Sequence, residues 1–340
     1  MDNNVIFYHH SKQHFNIGDY LCTPKHYFNF KISTRDVSDE PKVLIIGGGT
    51  YNRSFGTDYI NKYNVPINIG WGLGVTINRN DSQDLARIDQ SITEALETFD
   101  ACSTRDIDIS KKYKKLHFVP CVSVMNNIVE IQSGKKTGIF LNADLKRTSV
   151  KTINKFRNSY KSDLIFSTNA INEIEFRHLF RQTDKIITNS YHVAYWGFLS
   201  GRNVAVIGYS SKFKSLIKLF DLDENNLLMY KKNNLNRLDD HIEKILNDNS
   251  YYQNVNDHID YISEFRKTNI SYAETLRNRA FLSNHKIITQ NENSLYKRTL
   301  EINGIYGLLK KESKDQRNTK SNSNRKISRR LFRKLKNKFF

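Results

Sequence analysis

Four short segments of the chain carry residue types suited to holding and processing an anion. The run VLIIGGGTY, residues 43–51, leads an apolar strand into Gly47, Gly48 and Gly49, with Thr50 next. Without Cβ atoms in the way, backbone N–H groups there can face a negative charge, and a helix that follows adds its positive end. The run is neither a G-x-G-x-x-G fingerprint nor a Walker loop, which needs a lysine after its last glycine. NIGWGLGV, residues 68–75, repeats the theme, with Gly70, Gly72 and Gly74 alternating with Trp71 and Leu73. Two glycine-rich turns at the ends of neighbouring parallel strands would line one crevice. CSTRDIDIS, residues 102–110, sets Arg105 just beyond a short apolar strand. A guanidinium there can grip a carboxylate or phosphate in bidentate fashion; pairing with Asp106 or capping a surface turn is the competing reading.

The fourth segment, TDKIITNSYHVAYWGFLSGRNVAVIGYSSKF at 183–213, is the most informative. A strand ends in Asn189, Ser190, Tyr191 and His192, a helix of small and apolar residues follows, and a second strand ends near Lys212. His192 then falls in the first turn of that helix, where an imidazole can move protons near neutral pH. Asn189, Ser190 and the helix amides are candidate anion ligands, and Lys212 is expected to approach the same cleft. A weaker signal is HFNIGDYL, residues 14–21, whose Asp19 either caps a helix or binds a substrate hydroxyl. His9, His10 and His14 read as a solvated loop. No His, Asp or Cys grouping has metal-ligand spacing, so neither a metal nor a cofactor is expected.

These residues need a scaffold that brings loop ends together. Short apolar runs at Val5–Tyr8, Val43–Ile46, Ile67–Ile69, Ala101–Ser103, Thr137–Leu141, Leu164–Ser167, Lys185–Ile187 and Val204–Ile207 alternate with helical patterns such as Asp81–Leu96 and Ile171–Phe180. That alternation predicts βαβ units and parallel sheets. The pattern restarts near residue 135, after the polar SerGlyLysLys at 133–136. The expected organisation is an α/β protein of two Rossmann-like lobes, 1–132 and 133–305, with an interlobe cleft, a helical end and a basic tail at 306–340.

Composition narrows the class further. The chain has 340 residues, 38% of them hydrophobic and 12% aromatic, enough for two cores. Net charge is +18, but residues 310–340 hold 13 Lys and Arg against 2 Asp and Glu, so the tail carries most of the excess. Within it, RKISRRLFRKLKNKFF places Ile327, Leu331, Leu335 and Phe339 four residues apart, the pattern of a basic amphipathic helix on an anionic membrane surface. No recognised nucleic-acid motif accompanies the charge. Three cysteines, no signal-peptide pattern and no apolar run of membrane-spanning length lead to an expected cytoplasmic location, peripheral at the inner face of the membrane.

Taken in order, NIGD at 16–19, GGGT at 47–50, WGLG at 71–74, STRD at 103–106, VPCVS at 119–123 and TNSYH through YSSK at 188–212 resemble the polysaccharide pyruvyl transferase family. The resemblance covers roughly residues 5–215. It implies an architecture similar to the two-lobed GT-B glycosyltransferases, with the active site between the lobes. It also implies phosphoenolpyruvate as donor, a glycan or lipid-linked glycan as acceptor, and a pyruvate ketal on a capsular or other surface polysaccharide precursor as product. His192 is the acid/base that it implies, and Arg105 a donor-binding cation. Many members carry Arg-x-His where this chain has Ser190-Tyr191-His192, so the clamp that such an arginine provides is absent. A glycosyltransferase using a nucleotide-sugar donor on the same scaffold is the alternative.

Overall fold

Apolar runs, the central ones buried on both faces, become the strands of two parallel sheets in the computed structural model, which describes residues 5–8, 16–28, 43–49, 56–75, 82–158, 163–231 and 233–278. The first sheet takes β1 (Val5–Tyr8), β2 (Val43–Gly47), β3 (Ile67–Leu73), β4 (Ala101–Thr104) and β5 (His117–Phe118) in sequence order. Its helices are α1 (Ile17–Leu21), α2 (Thr57–Tyr63), α3 (Ser82–Thr98) and α4 (Ile107–Lys112). The second sheet holds β6 (Lys136–Leu141), β7 (Leu164–Thr168), β8 (Thr183–Thr188), β9 (Asn203–Gly208) and β10 (Leu228–Met229), in the order β10-β9-β8-β6-β7. Its helices are α5 (Val150–Arg157), α6 (Glu173–Arg181), α7 (Tyr191–Leu199), α8 (Ser211–Leu219) and α9 (Asn236–Asn247). The expected α/β character and two parallel sheets are both present. Thr50 and the whole of residues 306–340, including the basic amphipathic segment, lie outside the described residues.

The second sheet changes direction between β6 and β8. From β6 the chain steps outward to β7, then returns to β8 on the other side. In open α/β sheets such a reversal separates two loops at the carboxyl edge and leaves a crevice between them. The loops concerned are 142–149 after β6 and 189–190 after β8, and the second leads directly into α7.

All nine residues of α7 are buried. A helix that is apolar all round belongs inside a protein, and α7 lies against β8, β9, α1, α8 and a further helix, α10 (His258–Asn278). Gly197 allows the close approach to the sheet, because a Cβ there would sit 2.7 Å from the Val204 side chain. Arg202 follows α7 and is fully buried. Its guanidinium donates to the carbonyls of Thr183, Ile131, Gln132 and Phe180 at 3.0–3.1 Å and lies 4.0 Å over the Phe180 ring. Burial lowers its pKa to about 10.

Helix α10 joins the lobes. Near its start, Tyr261 and Phe265 pack on Phe220 of the second lobe. Further along, Asn269 Oδ1 accepts from Trp71 Nε1 at 3.0 Å and the Tyr272 hydroxyl donates to the Gly70 carbonyl at 2.9 Å. Tyr272, Ala273 and Leu276 thereby close a core with Val43, Ile45, Ile69 and Trp71 of the first sheet. No helix among the described residues is long and apolar enough to cross a membrane.

Candidate functional site

The two lobes meet at an imidazole and a guanidinium. Strand β4 ends at Thr104, and its hydroxyl donates to the Leu73 carbonyl while the Arg105 amide donates to the same oxygen, fixing the turn that carries Arg105 inward. Strand β8 ends at Thr188, whose hydroxyl donates to the Phe140 carbonyl and accepts from the Ser190 amide, fixing the entry to α7. The result places Arg105 Nη1 3.3 Å from His192 Nε2, both residues almost wholly buried. Tyr191 lies beneath the guanidinium, 4.4 Å from its ring centroid. Its buried phenol is pushed above its usual pKa by burial, the dominant effect, although the Arg105 charge pulls it down.

A guanidinium has N–H donors and no acceptor, so His192 Nε2 accepts in this contact and the ring proton sits on Nδ1. Nδ1 faces Asp19 Oδ1 at 3.8 Å. Asp19 is held by Asn16, whose amide donates to the other carboxylate oxygen at 3.0 Å while its Oδ1 caps α1 at Gly18 N and Asp19 N. Asn16 is therefore the helix cap, and Asp19 is turned towards the histidine. The approach of α1 to the imidazole depends on Gly18: a Cβ there would lie 2.3 Å from Nδ1.

Beneath the imidazole lie two thiols that sequence reasoning did not assign. Cys22 Sγ donates to the Asp19 carbonyl at 3.1 Å, and Cys121 Sγ lies 3.2 Å from Ser123 Oγ. Burial alone raises a thiol pKa, yet Cys121 is held well below the ordinary value, because the neighbouring Cys22 and His192 side chains and the Arg105 charge favour its thiolate. Cys22 is pushed well above it, by burial and by Cys121 beside it. Asp19, Cys22 and His192 also form a group of ligand-type atoms within 4.8 Å of one another. With Nε2 accepting from Arg105 and the ring proton on Nδ1, the arrangement suits proton transfer rather than cation binding.

The glycines supply room for close approach. A Cβ on Gly74 would lie 2.8 Å from Arg105 Nε and 3.0 Å from the Gly49 carbonyl, and the Gly74 amide donates to that carbonyl at 3.2 Å, so the two glycine loops are tied together beside the guanidinium. Gly47 makes space for the Pro24 ring. Gly48, at φ +64°, brings the chain against the Cys22 carbonyl, a conformation and an approach that only glycine tolerates. The Gly72 amide is bonded to Ser103 Oγ at 2.8 Å.

The remaining expected ligands lie along the carboxyl edge of the second sheet. Asn189 is fully enclosed by protein partners: its Oδ1 accepts from the Asn142 amide, and its Nδ2 donates to Thr148 Oγ1 and the Tyr230 hydroxyl. Ser190 is buried and accepts from Asn169 Nδ2 at 3.4 Å. Lys212 Nζ donates to the Tyr209 hydroxyl at 3.0 Å. The capping role weighed for the 105–106 pair belongs to Asp106, which accepts from Ile109 N at 3.3 Å and, across the lobes, from Ser215 Oγ at 2.8 Å. Burial raises its pKa, and these bonds pull it back.

A family model described as polysaccharide pyruvyl transferase matches residues 2–211. Among solved structures, a functionally uncharacterized protein from Klebsiella pneumoniae shows 17% identity over 64% of this chain and 88% of its own, with a TM-score of 0.35. Comparison with curated proteins gives no match.

Proposed function

The chain belongs to the polysaccharide pyruvyl transferase family and is a transferase; from that premise we propose that it moves a pyruvyl group from phosphoenolpyruvate onto two hydroxyls of a sugar in a surface polysaccharide precursor, forming a ketal. The observation that carries this reading is the buried contact between Arg105 of one lobe and His192 of the other. An anionic donor entering there takes the N–H donors of Arg105 through its carboxylate, which uncovers His192 Nε2 for proton transfer. Charge neutralisation and positioned proton transfer are what this donor requires.

The chemistry balances without a cofactor. The vinyl carbon of phosphoenolpyruvate gains a proton as one sugar hydroxyl attacks C2. The second hydroxyl then attacks C2, the C–O bond to phosphate breaks, and inorganic phosphate leaves with the remaining proton. His192 relays both protons in this scheme. Asp19, on its Nδ1 side, holds the ring orientation as it alternates. Lys212 lies with Tyr209, so the neutralising charge nearest His192 is Arg105.

The basic segment at 325–340 would hold the enzyme on an anionic membrane surface, near a lipid-linked acceptor. Its deletion should abolish liposome binding and leave turnover on soluble acceptors intact; liposome binding by the shortened chain refutes the anchor.

The transfer itself is tested by incubating the protein with phosphoenolpyruvate and lipid-linked or soluble glycans, then following phosphate release and the ketal methyl signal by NMR. Binding of nucleotide sugars, with no binding of phosphoenolpyruvate, would overturn the reading in favour of a glycosyltransferase.

A further inference from the structure

We propose that the carboxyl edge of the second sheet holds a separate phosphoryl subsite, built from Arg147, Tyr209, Ser210 and Lys212, for a phosphate or diphosphate ester on the second substrate. The two loops that form it leave β6 and β9, the strands on either side of β8, so the subsite borders the strand end that leads to His192.

Tyr209 is its centre. The Arg147 guanidinium lies 4.5 Å from the ring centroid and Lys212 Nζ 4.9 Å. Two cations beside one aromatic ring, with the nearest carboxylate, Asp144, 3.9 Å from Arg147 Nε, form a local excess of positive charge. The Tyr209 oxygen accepts from Lys212 Nζ at 3.0 Å and from Asn142 Nδ2 at 3.1 Å. Asn142 presents its Nδ2 to the phenol, because its Oδ1 accepts from the Asp144 amide at 2.9 Å. With two donors on its oxygen, the phenol must direct its own proton elsewhere, and no acceptor for it exists among the described residues.

Two further buried side-chain polar atoms have no partner: Nη1 of Arg147, whose guanidinium lies on the Tyr209 ring, and Oγ of Ser210, the residue that follows Tyr209 in the chain. Ser210 is 3% exposed and occupies the N-cap position of the nine-residue α8, yet its hydroxyl does not cap that helix. Buried donors left unbonded are costly, and so mark a place where an acceptor belongs. Here the unmet groups are a guanidinium N–H and a phenol in contact with each other, a serine hydroxyl and two of the three ammonium protons, with Ser210 and Lys212 at the positive end of α8. That set fits the several oxygens of a phosphoryl group.

The assignment to the second substrate rests on the reading above, in which the donor's anionic groups go to Arg105. Isothermal calorimetry with inorganic pyrophosphate and with phosphoenolpyruvate separates the two. Arg147→Gln and Lys212→Gln should each weaken pyrophosphate binding about tenfold or more, and Tyr209→Phe, which keeps the ring, should weaken it several-fold. Phosphoenolpyruvate affinity should stay unchanged in Arg147→Gln, and pyrophosphate affinity unchanged in Arg105→Gln. Variants that melt like the wild type yet bind pyrophosphate as tightly overturn the subsite. Equal loss of both ligands in Arg147→Gln overturns the assignment to the second substrate. A wild-type protein that ignores phosphoenolpyruvate but binds pyrophosphate through Arg147 sinks the donor reading and supports the subsite.

Discussion

Gly18→Ala tests whether the placement of His192 matters for turnover. A methyl at residue 18 would stand 2.3 Å from Nδ1, 2.5 Å from Cγ and 2.6 Å from Cβ of His192. Ordinary contact between such atoms is about 3.5 Å, so the ring and α1 must separate by about 1.2 Å. Neither side yields easily, since α1 is buried and α7 is buried along its whole length. The overpacking should cost about 1–3 kcal/mol of stability. The same shift draws Nε2 out of line with Arg105, and misplacement by about 1 Å is worth about a hundredfold in rate. Urea denaturation and phosphate-release kinetics on the single and double variants provide the assay. In a His192→Ala background there is no ring to displace, so adding Gly18→Ala should cost little further stability and no further rate. Additive stability losses would refute the packing argument. A Gly18→Ala enzyme that is destabilised but turns over at the wild-type rate would remove His192 from the chemistry.

Arg105→Gln should raise the KM for phosphoenolpyruvate at least tenfold, measured in the same phosphate assay; an unchanged KM would show that the donor lies elsewhere. Arg202→Met should lower stability by about 3 kcal/mol or more, because it strips hydrogen-bond donors from four buried carbonyls, and it should leave the donor's Kd unchanged. Asn269→Ala should cost about 1–3 kcal/mol and alter the fluorescence of Trp71, whose indole N–H loses the Asn269 acceptor. Folded Asp106 keeps its proton to higher pH than the unfolded chain does, so the folded state holds more protons between the two pKa values. Its contribution to stability therefore falls as pH rises through that window. Urea midpoints from about pH 4 to 7 should show that decline in the wild type and a smaller one in Asp106→Asn.

Much of the scaffold could be read from the chain. VLIIG, KIIT and NVAVIG are buried on both faces, so they stand out as unbroken apolar runs closed by Gly, Ser or Asn. Strands β5 and β10 escape such reading because two residues carry no period. The site was legible in part. Arg105 and His192 are 87 residues apart, and their order along the chain suggested a shared cleft where spacing alone does not. The glycine loops were recognisable as exceptional, but their neighbours are Pro24, Cys22 and Arg105, which no local pattern links to them. Asn189 has the chemistry of a ligand group, and its bonds across three loops carry no local signal in the chain. Cys22 had no signal and Cys121 only its place in VPCVS, since their significance arises where α1, the 119–123 segment and α7 meet.

Helix α10 imposes an order on biogenesis. The face of the first sheet that carries Val43, Ile45, Ile69 and Trp71 is covered by Tyr272, Ala273 and Leu276. At about 5–20 residues per second of translation, those covering residues are made roughly eight to thirty seconds after β5. Throughout that interval a nascent first lobe presents an aromatic, aliphatic sheet surface to its surroundings, and chaperones that bind exposed apolar chain have a defined window in which to act on it.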